Sequence, residues 1–312
     1  MTPDKTTDSR HEDNWVDFAW QGISFVVPAE WQLDVTEGNR KAGYVRLVDE
    51  TSVRLEIRWD VDKGKGTIGE IVSGYLKGMR KRSTRKKKEF KVLRDINLIS
   101  FPEAERDFEC YSWEADLRAV CLFSRSKTAK RTVHIQVLGS RGEKLRSRAR
   151  RIFGSFRDFP EGEMEPWSFY DFKCSIPRGF ALKAPDLKTG CIKMSFARSS
   201  EVLDLARISL ARVVLEKQSL AEWVHEFAKR TLRGFSVQAE RGRIKGHDAL
   251  GISGRQWRLR DIWGLVAGRR LVRLTAWHCE ESDKIYYVSW ISRKGTDEDF
   301  ARIVAGFKCH DE

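Results

Sequence analysis

The stretch Thr67-Ile-Gly-Glu70-Ile-Val-Ser-Gly-Tyr-Leu-Lys-Gly-Met79 decides the architecture, because a counterpart recurs at Ser219-Leu-Ala-Glu222-Trp-Val-His-Glu-Phe-Ala-Lys-Arg-Thr231. In each stretch a Ser or Thr precedes a Glu by three residues, which is the pattern of a helix-capping box. Apolar residues then recur at helical spacing and form one stripe. The pattern predicts one amphipathic helix at 67–79 and a second at 219–232.

Two further patches repeat with almost the same offset. The segment Phe25-Val-Val-Pro28-x-x-Trp31 matches Cys174-Ser-Ile-Pro177-x-x-Phe180, and residues 151–157 match residues 302–308. An offset of this size is that of a whole domain rather than of a solenoid repeat. The sequence therefore predicts two copies of one domain.

The predicted boundaries follow from composition. Residues 1–14 are polar and mixed in charge, and they are expected to form a disordered tail. The first copy is expected at 15–158 and the second at 167–312. The segment 159–166, which contains two prolines and three glutamates, is expected to be the linker.

The pattern within each copy predicts the fold class. Short stretches of alternating apolar and polar residues are typical of half-buried strands, and the short turns between them favour antiparallel pairing. One predicted helix interrupts the strands and another follows them, at 143–156 in the first copy and 297–307 in the second. We therefore expect an α+β fold in each copy, with a mostly antiparallel sheet flanked by helices.

The opening signature of each copy, an alternating strand closed by Pro28 or Pro177 and followed by Trp31 or Phe180, resembles that of the PsbP/Mog-like superfamily. The predicted order of strands and helices is also similar over both copies. The resemblance implies a tandem duplication of a PsbP/Mog-like domain. It also implies a non-catalytic role, since the members of that superfamily are mostly binding and assembly proteins and the shared residues are core residues.

Basic residues are the main charge feature. The chain has 58 Lys and Arg against 45 Asp and Glu, a formal net charge of +13. Seven cations and no acid lie at 80–88, and the second copy lacks this run. We expect an exposed, mobile loop that is either simply solvated or a contact for a polyanion. The candidate contact residues are Lys65, Arg80, Lys81, Arg82, Arg85, Lys86, Lys87 and Lys88.

Residues 64–69 match the G-x-G-x-x-G pattern of dinucleotide-binding proteins. That pattern requires a parallel βαβ unit, whereas the predicted strands are antiparallel, so we reject a dinucleotide site. A weaker hypothesis is that free backbone N–H groups at the helix start, beside Lys65, hold an anion.

The spacing of the cysteines and histidines matches no metal-binding or redox motif. The six cysteines form no C-x-x-C pair, and residues 1–14 lack the apolar core of a signal peptide. We therefore expect reduced, buried thiols in a cytoplasmic protein, with a Cys174–Cys191 disulfide as the alternative. The six histidines show no spacing typical of a zinc site. No catalytic residue, metal or cofactor is expected.

These features favour a non-catalytic binding or adaptor protein, with a groove between the two copies as the expected ligand or partner surface. The expected partner is another protein, and the expected state is a monomer with internal pseudo-twofold symmetry and no membrane span. One alternative is a protein associated with nucleic acid or another polyanion through 80–88. The other is an enzyme whose site is assembled in space and not visible as a motif.

Overall fold

The computed structural model describes residues 14–102, 105–158, 162–256 and 270–310. Nearly all of the predicted tail, residues 159–161 of the predicted linker and part of the strand predicted at 255–259 lie outside these ranges. The chain divides into two compact units. Unit 1 comprises residues 1–162 and 166–171, and unit 2 comprises residues 163–165 and 172–312.

The strands of the first half form two sheets. They are β1 (Trp15–Trp20), β2 (Ile23–Pro28), β3 (Gln32–Gly38), β4 (Gly43–Val48), β5 (Val53–Val61), β6 (Lys91–Leu93), β7 (Arg106–Glu114), β8 (Leu117–Ser126), β9 (Arg131–Ser140) and β10 (Arg157–Asp158). Seven of them make an antiparallel sheet of order β3-β4-β5-β9-β8-β7-β6. Strands β10, β2 and β1 pair in that order in a second sheet.

The second half contains nine described strands. They are β11 (Met164–Phe169), β12 (Phe172–Pro177), β13 (Ala181–Lys188), β14 (Cys191–Arg198), β15 (Glu201–Ser209), β16 (Phe235–Ile244), β17 (His247–Gln256), β18 (Leu271–Cys279) and β19 (Lys284–Ser292). Seven of them form a sheet of order β13-β14-β15-β19-β18-β17-β16. This order is the same as in unit 1, as two copies of one domain require.

The structure describes two helices in the first half of the chain and four in the second. They are α1 (Ile68–Arg85), α2 (Arg146–Ser155), α3 (Ala211–Leu215), α4 (Leu220–Phe227), α5 (Lys229–Leu232) and α6 (Asp297–Ala305). Thr67 and Glu70 form the predicted capping box of α1, and Ser219 and Glu222 form that of α4. The buried side chains of α1 pack against β7 and β8, and those of α4 pack against β17 and β18.

The prediction of an α+β fold, with a mostly antiparallel sheet flanked by helices in each copy, is wrong. Strand accounts for 52% of the structure and helix for 19%, in three large sheets, so the protein is closer to an all-β protein. The reason is partly the length of the strands. Strand β16 has ten residues and β13 has eight, and both are mostly exposed. An exposed edge strand has no alternation of apolar and polar residues. The sequence pattern therefore predicts only three residues of β16 as strand and none of β13.

Helix lengths also differ from the prediction. The helix predicted at 219–232 is interrupted at Ala228, which separates α4 from α5. Conversely, α1 continues six residues beyond Met79 and ends at Arg85. Most of the basic run that was expected to be a mobile loop is therefore the last part of a helix. Arg, Lys and Ser tolerate a helix well, and the apolar stripe simply stops before the helix does.

The aromatic residues that follow Pro28 and Pro177 occupy matching core positions. Trp31 is 6% exposed and Phe180 is 2% exposed. An arginine lies over each ring: Arg148 over Trp31 and Arg198 over Phe180. Both contacts are of the cation–π type.

A buried ion pair joins strands β9 and β10 of unit 1. The Nε of Arg131 donates to Oδ1 of Asp158 over 2.6 Å, and both side chains are almost fully buried. Arg131 also donates to the carbonyl oxygens of Gln21 and Arg40. Burial raises the pKa of Asp158, and Arg131 opposes that rise. The pair ties the segment after α2 to the end of the central hairpin.

We expect Arg131→Ala or Asp158→Ala to lower the free energy of unfolding by roughly 3–5 kcal/mol, because each leaves the other charge buried without its partner. The double variant Arg131→Met/Asp158→Leu should lose less than the two alanine variants combined. Urea denaturation followed by tryptophan fluorescence measures both effects. In the exposed pair Lys188–Asp186, Asp186→Ala should cost less than about 1 kcal/mol. Equal losses at the buried and exposed sites would contradict this interpretation.

Candidate functional site

The basic residues predicted to contact a polyanion lie in two separate places. Seven of them, Arg80, Lys81, Arg82, Arg85, Lys86, Lys87 and Lys88, lie on the last turns of α1 or directly after it, and all are exposed. Lys65 precedes the N-terminal end of α1. The helix has 18 residues and is therefore roughly 27 Å long. The structure brings seven of the eight residues together and leaves Lys65 apart.

The start of α1 already holds an anionic group from its own chain. Oε2 of Glu70 accepts a hydrogen bond from the backbone N–H of Thr67 over 2.7 Å. In addition, β5 pairs antiparallel with β9, which differs from the parallel pairing that a dinucleotide site requires. The capping box thus satisfies the N–H groups of Thr67 and Glu70, two of the donors that an anion beside Lys65 would use.

A segment of the chain covers the α2 side of the sheet in unit 1. Between β6 and β7, the N–H of Ile96 donates to the carbonyl of Cys110, and Leu98 is 6% exposed. The ring of Phe101 packs edge-on against Phe108 and Phe156, at centroid distances of 5.1 and 6.5 Å. The segment 94–102 therefore contributes apolar side chains to the core of this unit.

The equivalent place in unit 2 is an open groove between α6 and strands β16–β18, which we call the α6 groove. Its volume is about 480 Å³, and its lining includes Ile244, Gly251, Thr275, Phe300 and Val304. Matching the strand registers places Gly251 at the position of Cys110, and Ala249 at the position of Phe108. Gly251, which lines the groove, thus presents less side-chain volume than Cys110 does in unit 1.

The groove is open because the β16–β17 connection is short. Strand β16 ends at Ile244 and β17 begins at His247, so only Lys245 and Gly246 form the turn. Both have positive φ angles, 50° and 82°, as the tight turns that suit antiparallel hairpins require. Unit 1 has twelve residues between β6 and β7, and the described segment 94–102 supplies cover that unit 2 lacks.

A second constellation in unit 2 brings two thiols and two imidazoles together. One potential ligand atom from each of His247, Cys279, Cys309 and His310 lies within 4.8 Å of all the others. Nδ1 of His310 is 3.6 Å from Sγ of Cys279 and 3.3 Å from Sγ of Cys309. Both cysteines are buried, and the two histidines are half-buried. We call these four residues the Cys/His cluster.

The two thiols of the cluster differ electrostatically. Burial raises the pKa of the Cys279 thiol, but hydrogen bonds from Ser282 and His310 outweigh this effect and leave the pKa below its ordinary value. Burial raises the pKa of the Cys309 thiol. Burial, followed by the proximity of His310, lowers the pKa of His247, which favours the neutral imidazole.

Sequence reasoning missed the Cys/His cluster because it searched for ligands at short, regular spacing. His247, Cys279 and Cys309 are separated by about thirty residues each. Two adjacent pairs, Cys309-His310 and His278-Cys279, are the local signals in the sequence. The first contributes both of its residues to the cluster, and the second contributes only its cysteine. All six cysteines are unpaired in the structure, including Cys174 and Cys191.

Comparisons with known proteins do not assign the chain to a family. No family model matches it, and no curated protein matches it. The PsbP/Mog-like resemblance therefore stays a prediction. Among the helices within the described ranges, none has the length and apolar character needed to cross a membrane.

We expect Leu98→Ala to lower the free energy of unfolding by roughly 2–5 kcal/mol, because it leaves a cavity where unit 1 is covered. Leu93→Ala, at a position that is 60% exposed, is the matched control and should change stability by less than about 0.5 kcal/mol. Urea denaturation measures both. If Leu98→Ala behaves like Leu93→Ala, the segment 94–102 does not form part of the core.

Proposed function

We propose that this chain is a non-catalytic adaptor and that the α6 groove of unit 2 binds an extended, apolar segment of a partner protein. One observation carries the proposal: the same place in unit 1 is filled by the chain's own segment 94–102, whereas in unit 2 it is open. The internal copy thus supplies the chemistry of the occupant. It is a short peptide with a branched aliphatic residue and an aromatic residue three positions later.

The walls of the groove fit such a peptide. Apolar surface from Phe300, Val304 and Ile244 lines it, so burial of an aliphatic and an aromatic side chain supplies the driving force. Arg273 and Asp297 form an ion pair at its edge. Charged groups at the rim of an apolar site set the orientation and register of a bound peptide more than its affinity.

The experiment uses the full chain and the peptide Arg-Asp-Ile-Asn-Leu-Ile-Ser-Phe-Pro, which is the sequence of residues 94–102. Fluorescence anisotropy of the labelled peptide should show saturable binding. Replacing its Leu and Phe with Ser should weaken binding at least tenfold, about 1.4 kcal/mol, because the apolar contacts are lost. Selection from a displayed random-peptide library should enrich the same aliphatic–aromatic spacing.

A glycine in the groove provides a blocking variant. A Cβ on Gly251 would meet only the carbonyl oxygen of Glu240, at the ordinary contact distance of 3.7 Å, so Gly251→Leu fits the fold and fills the groove. It should abolish peptide binding. Gly242→Leu, on the exposed part of β16 with open space around it, is the control and should bind as the wild type does. Equal affinity of Gly251→Leu and the wild type would overturn the proposal.

A second candidate function is contact with a polyanion through the end of α1. The specific observation is that the end of α1 and the three residues directly after it present seven exposed cations together. Lys88 pairs with Asp116, and both are exposed, so this pair screens the charge only weakly. Phosphate groups bind such a surface through charge and counterion release.

Changing Arg85, Lys86, Lys87 and Lys88 to Ala tests this candidate. We expect the free energy of unfolding to change little, because exposed charges contribute little to stability. Affinity for duplex DNA at low salt should fall, and the slope of log affinity against log salt should shrink by roughly 0.9 per lost phosphate contact. If wild-type protein fails to bind duplex DNA, RNA or anionic vesicles at low salt, the surface is merely solvated.

A cytoplasmic location is part of the proposal. Six unpaired cysteines, five of them buried, are typical of a reducing compartment.

A further inference from the structure

The four residues of the Cys/His cluster come from three separate parts of unit 2. His247 begins β17 and Cys279 ends β18. The register of these two strands, continued by two more residue pairs, sets His247 opposite Cys279. Cys309 and His310 follow α6, next to the bridge between Lys173 and Lys308. Backbone pairing therefore places two of the ligands, and the chain after α6 brings the other two.

Unit 1 shows what this place in the fold requires. Cys279 is the last paired residue before the β18–β19 turn, as Ser126 is before the β8–β9 turn. His247 matches Arg106, which lies opposite Ser126. Cys309 matches Asp158, because each follows a residue paired with an equivalent strand, β12 or β2. In unit 1 the segment after the last helix is held here by the buried Arg131–Asp158 ion pair.

In unit 2 three of these four positions carry potential metal ligands, namely His247, Cys279 and Cys309. Lys284 stands at the position of Arg131, and a cysteine stands at the position of its carboxylate partner. If unit 2 had simply lost the ion pair, aliphatic or amide side chains at these positions would be sufficient. Two thiols and two imidazoles converging on one point are instead the donor set that binds zinc in structural sites.

The distances fit a tetrahedral ion. With Zn–S bonds of about 2.3 Å and Zn–N bonds of about 2.0–2.1 Å, a sulfur and a nitrogen ligand of a tetrahedral site lie about 3.5 Å apart. Nδ1 of His310 is 3.6 Å from one sulfur and 3.3 Å from the other. His247 Nε2 is buried and has no hydrogen-bond partner among the described residues, so a buried nitrogen of the cluster lacks the partner that such atoms normally have.

We propose that His247, Cys279, Cys309 and His310 bind one Zn²⁺ ion, which in unit 2 takes over the role that the Arg131–Asp158 ion pair has in unit 1. Thiolate and imidazole donors select zinc over Mg²⁺ and Ca²⁺, which prefer oxygen ligands. With four protein ligands the coordination shell is closed, so the ion is structural and not catalytic. It fastens the end of the chain to the β17–β18 pair.

An entry path leads to the site. His247 and His310 line an open cleft of about 530 Å³ together with Asp248, Glu280 and Glu281. A carboxylate oxygen of Glu281 is 3.9 Å from Nδ1 of His310. Arg243 and Lys245 also line the cleft, and Arg243 pairs with Asp248. Glu280 and Glu281 are the carboxylates that attract a divalent cation to its mouth, while the two buried thiols provide the final ligands.

The test uses the full chain without a polyhistidine tag, loaded with Zn²⁺ and dialysed, with metal measured by mass spectrometry. We expect one zinc per chain. Replacement of zinc by Co²⁺ should give the visible bands of a tetrahedral cobalt ion and the near-ultraviolet band of a cobalt–thiolate bond. Added Zn²⁺ should raise the melting temperature of the metal-free protein, because it binds only the folded state.

Ligand variants make the test specific. Cys279→Ser, Cys309→Ser, His247→Gln and His310→Gln should each weaken zinc binding by more than about tenfold, since even outer-shell partners contribute about 10–100-fold. Cys191→Ser and His225→Gln, which change a half-buried cysteine and an exposed histidine of the same unit, should bind as the wild type does. Circular dichroism identifies any variant that fails to fold. If a variant does not fold, the cobalt spectrum of the wild type shows whether thiolates bind the metal.

Three results would overturn the proposal. The first is a wild-type chain that holds far less than one zinc after loading. The second is a cobalt spectrum without a thiolate band. The third is equal zinc binding by the ligand variants and the two controls. Thiol titration of the denatured, metal-free protein should find six free thiols. A count of four free thiols, with Cys279 and Cys309 unreactive, would indicate a disulfide in place of the zinc site.

Discussion

The central hairpin of each seven-stranded sheet sets the constraint on which the rest of the structure depends. Nearly every residue of β9 and of β19 is buried, on both faces of the sheet. A strand that is buried on both faces needs a layer of apolar side chains on each side. On one face α1 or α4 supplies this layer, and on the other α2 or α6 contributes to it.

The two copies meet this constraint differently on the second face. Unit 1 adds the long β6–β7 connection, whose Leu98 and Phe101 extend the cover beyond α2. Unit 2 uses a two-residue turn and extends β16 along the whole of β17. Unit 2 thus has more backbone hydrogen bonds at this edge of its sheet than unit 1 has, but fewer apolar side chains covering the face of the sheet. The α6 groove is the direct consequence of that exchange, so a difference in one loop length separates a filled core from an open binding surface.

The end of the last helix raises a second structural problem, and the copies again solve it differently. The short segment after α2 or α6 returns to the edge of β2 or β12 and needs more than one or two backbone hydrogen bonds to stay there. Unit 1 uses a buried arginine and aspartate, whose desolvation cost is offset by charge and by hydrogen bonds. Unit 2 places two thiols and two imidazoles there, which we propose share one zinc ion. The proposals for the groove and for the zinc site both come from comparing the two copies within one chain.

The sequence by itself determined both capping boxes, the antiparallel pairing and the core positions of Trp31 and Phe180, because each of these depends on residues close together in the chain. It did not determine the balance of strand and helix, since the exposed strands β13 and β16 have no apolar alternation to detect. Nor did it determine the extent of α1, whose basic end has no buried face. Only the tertiary structure decided that His247, Cys279 and Cys309 meet: strand register brings together residues some thirty positions apart, and local sequence does not encode that register.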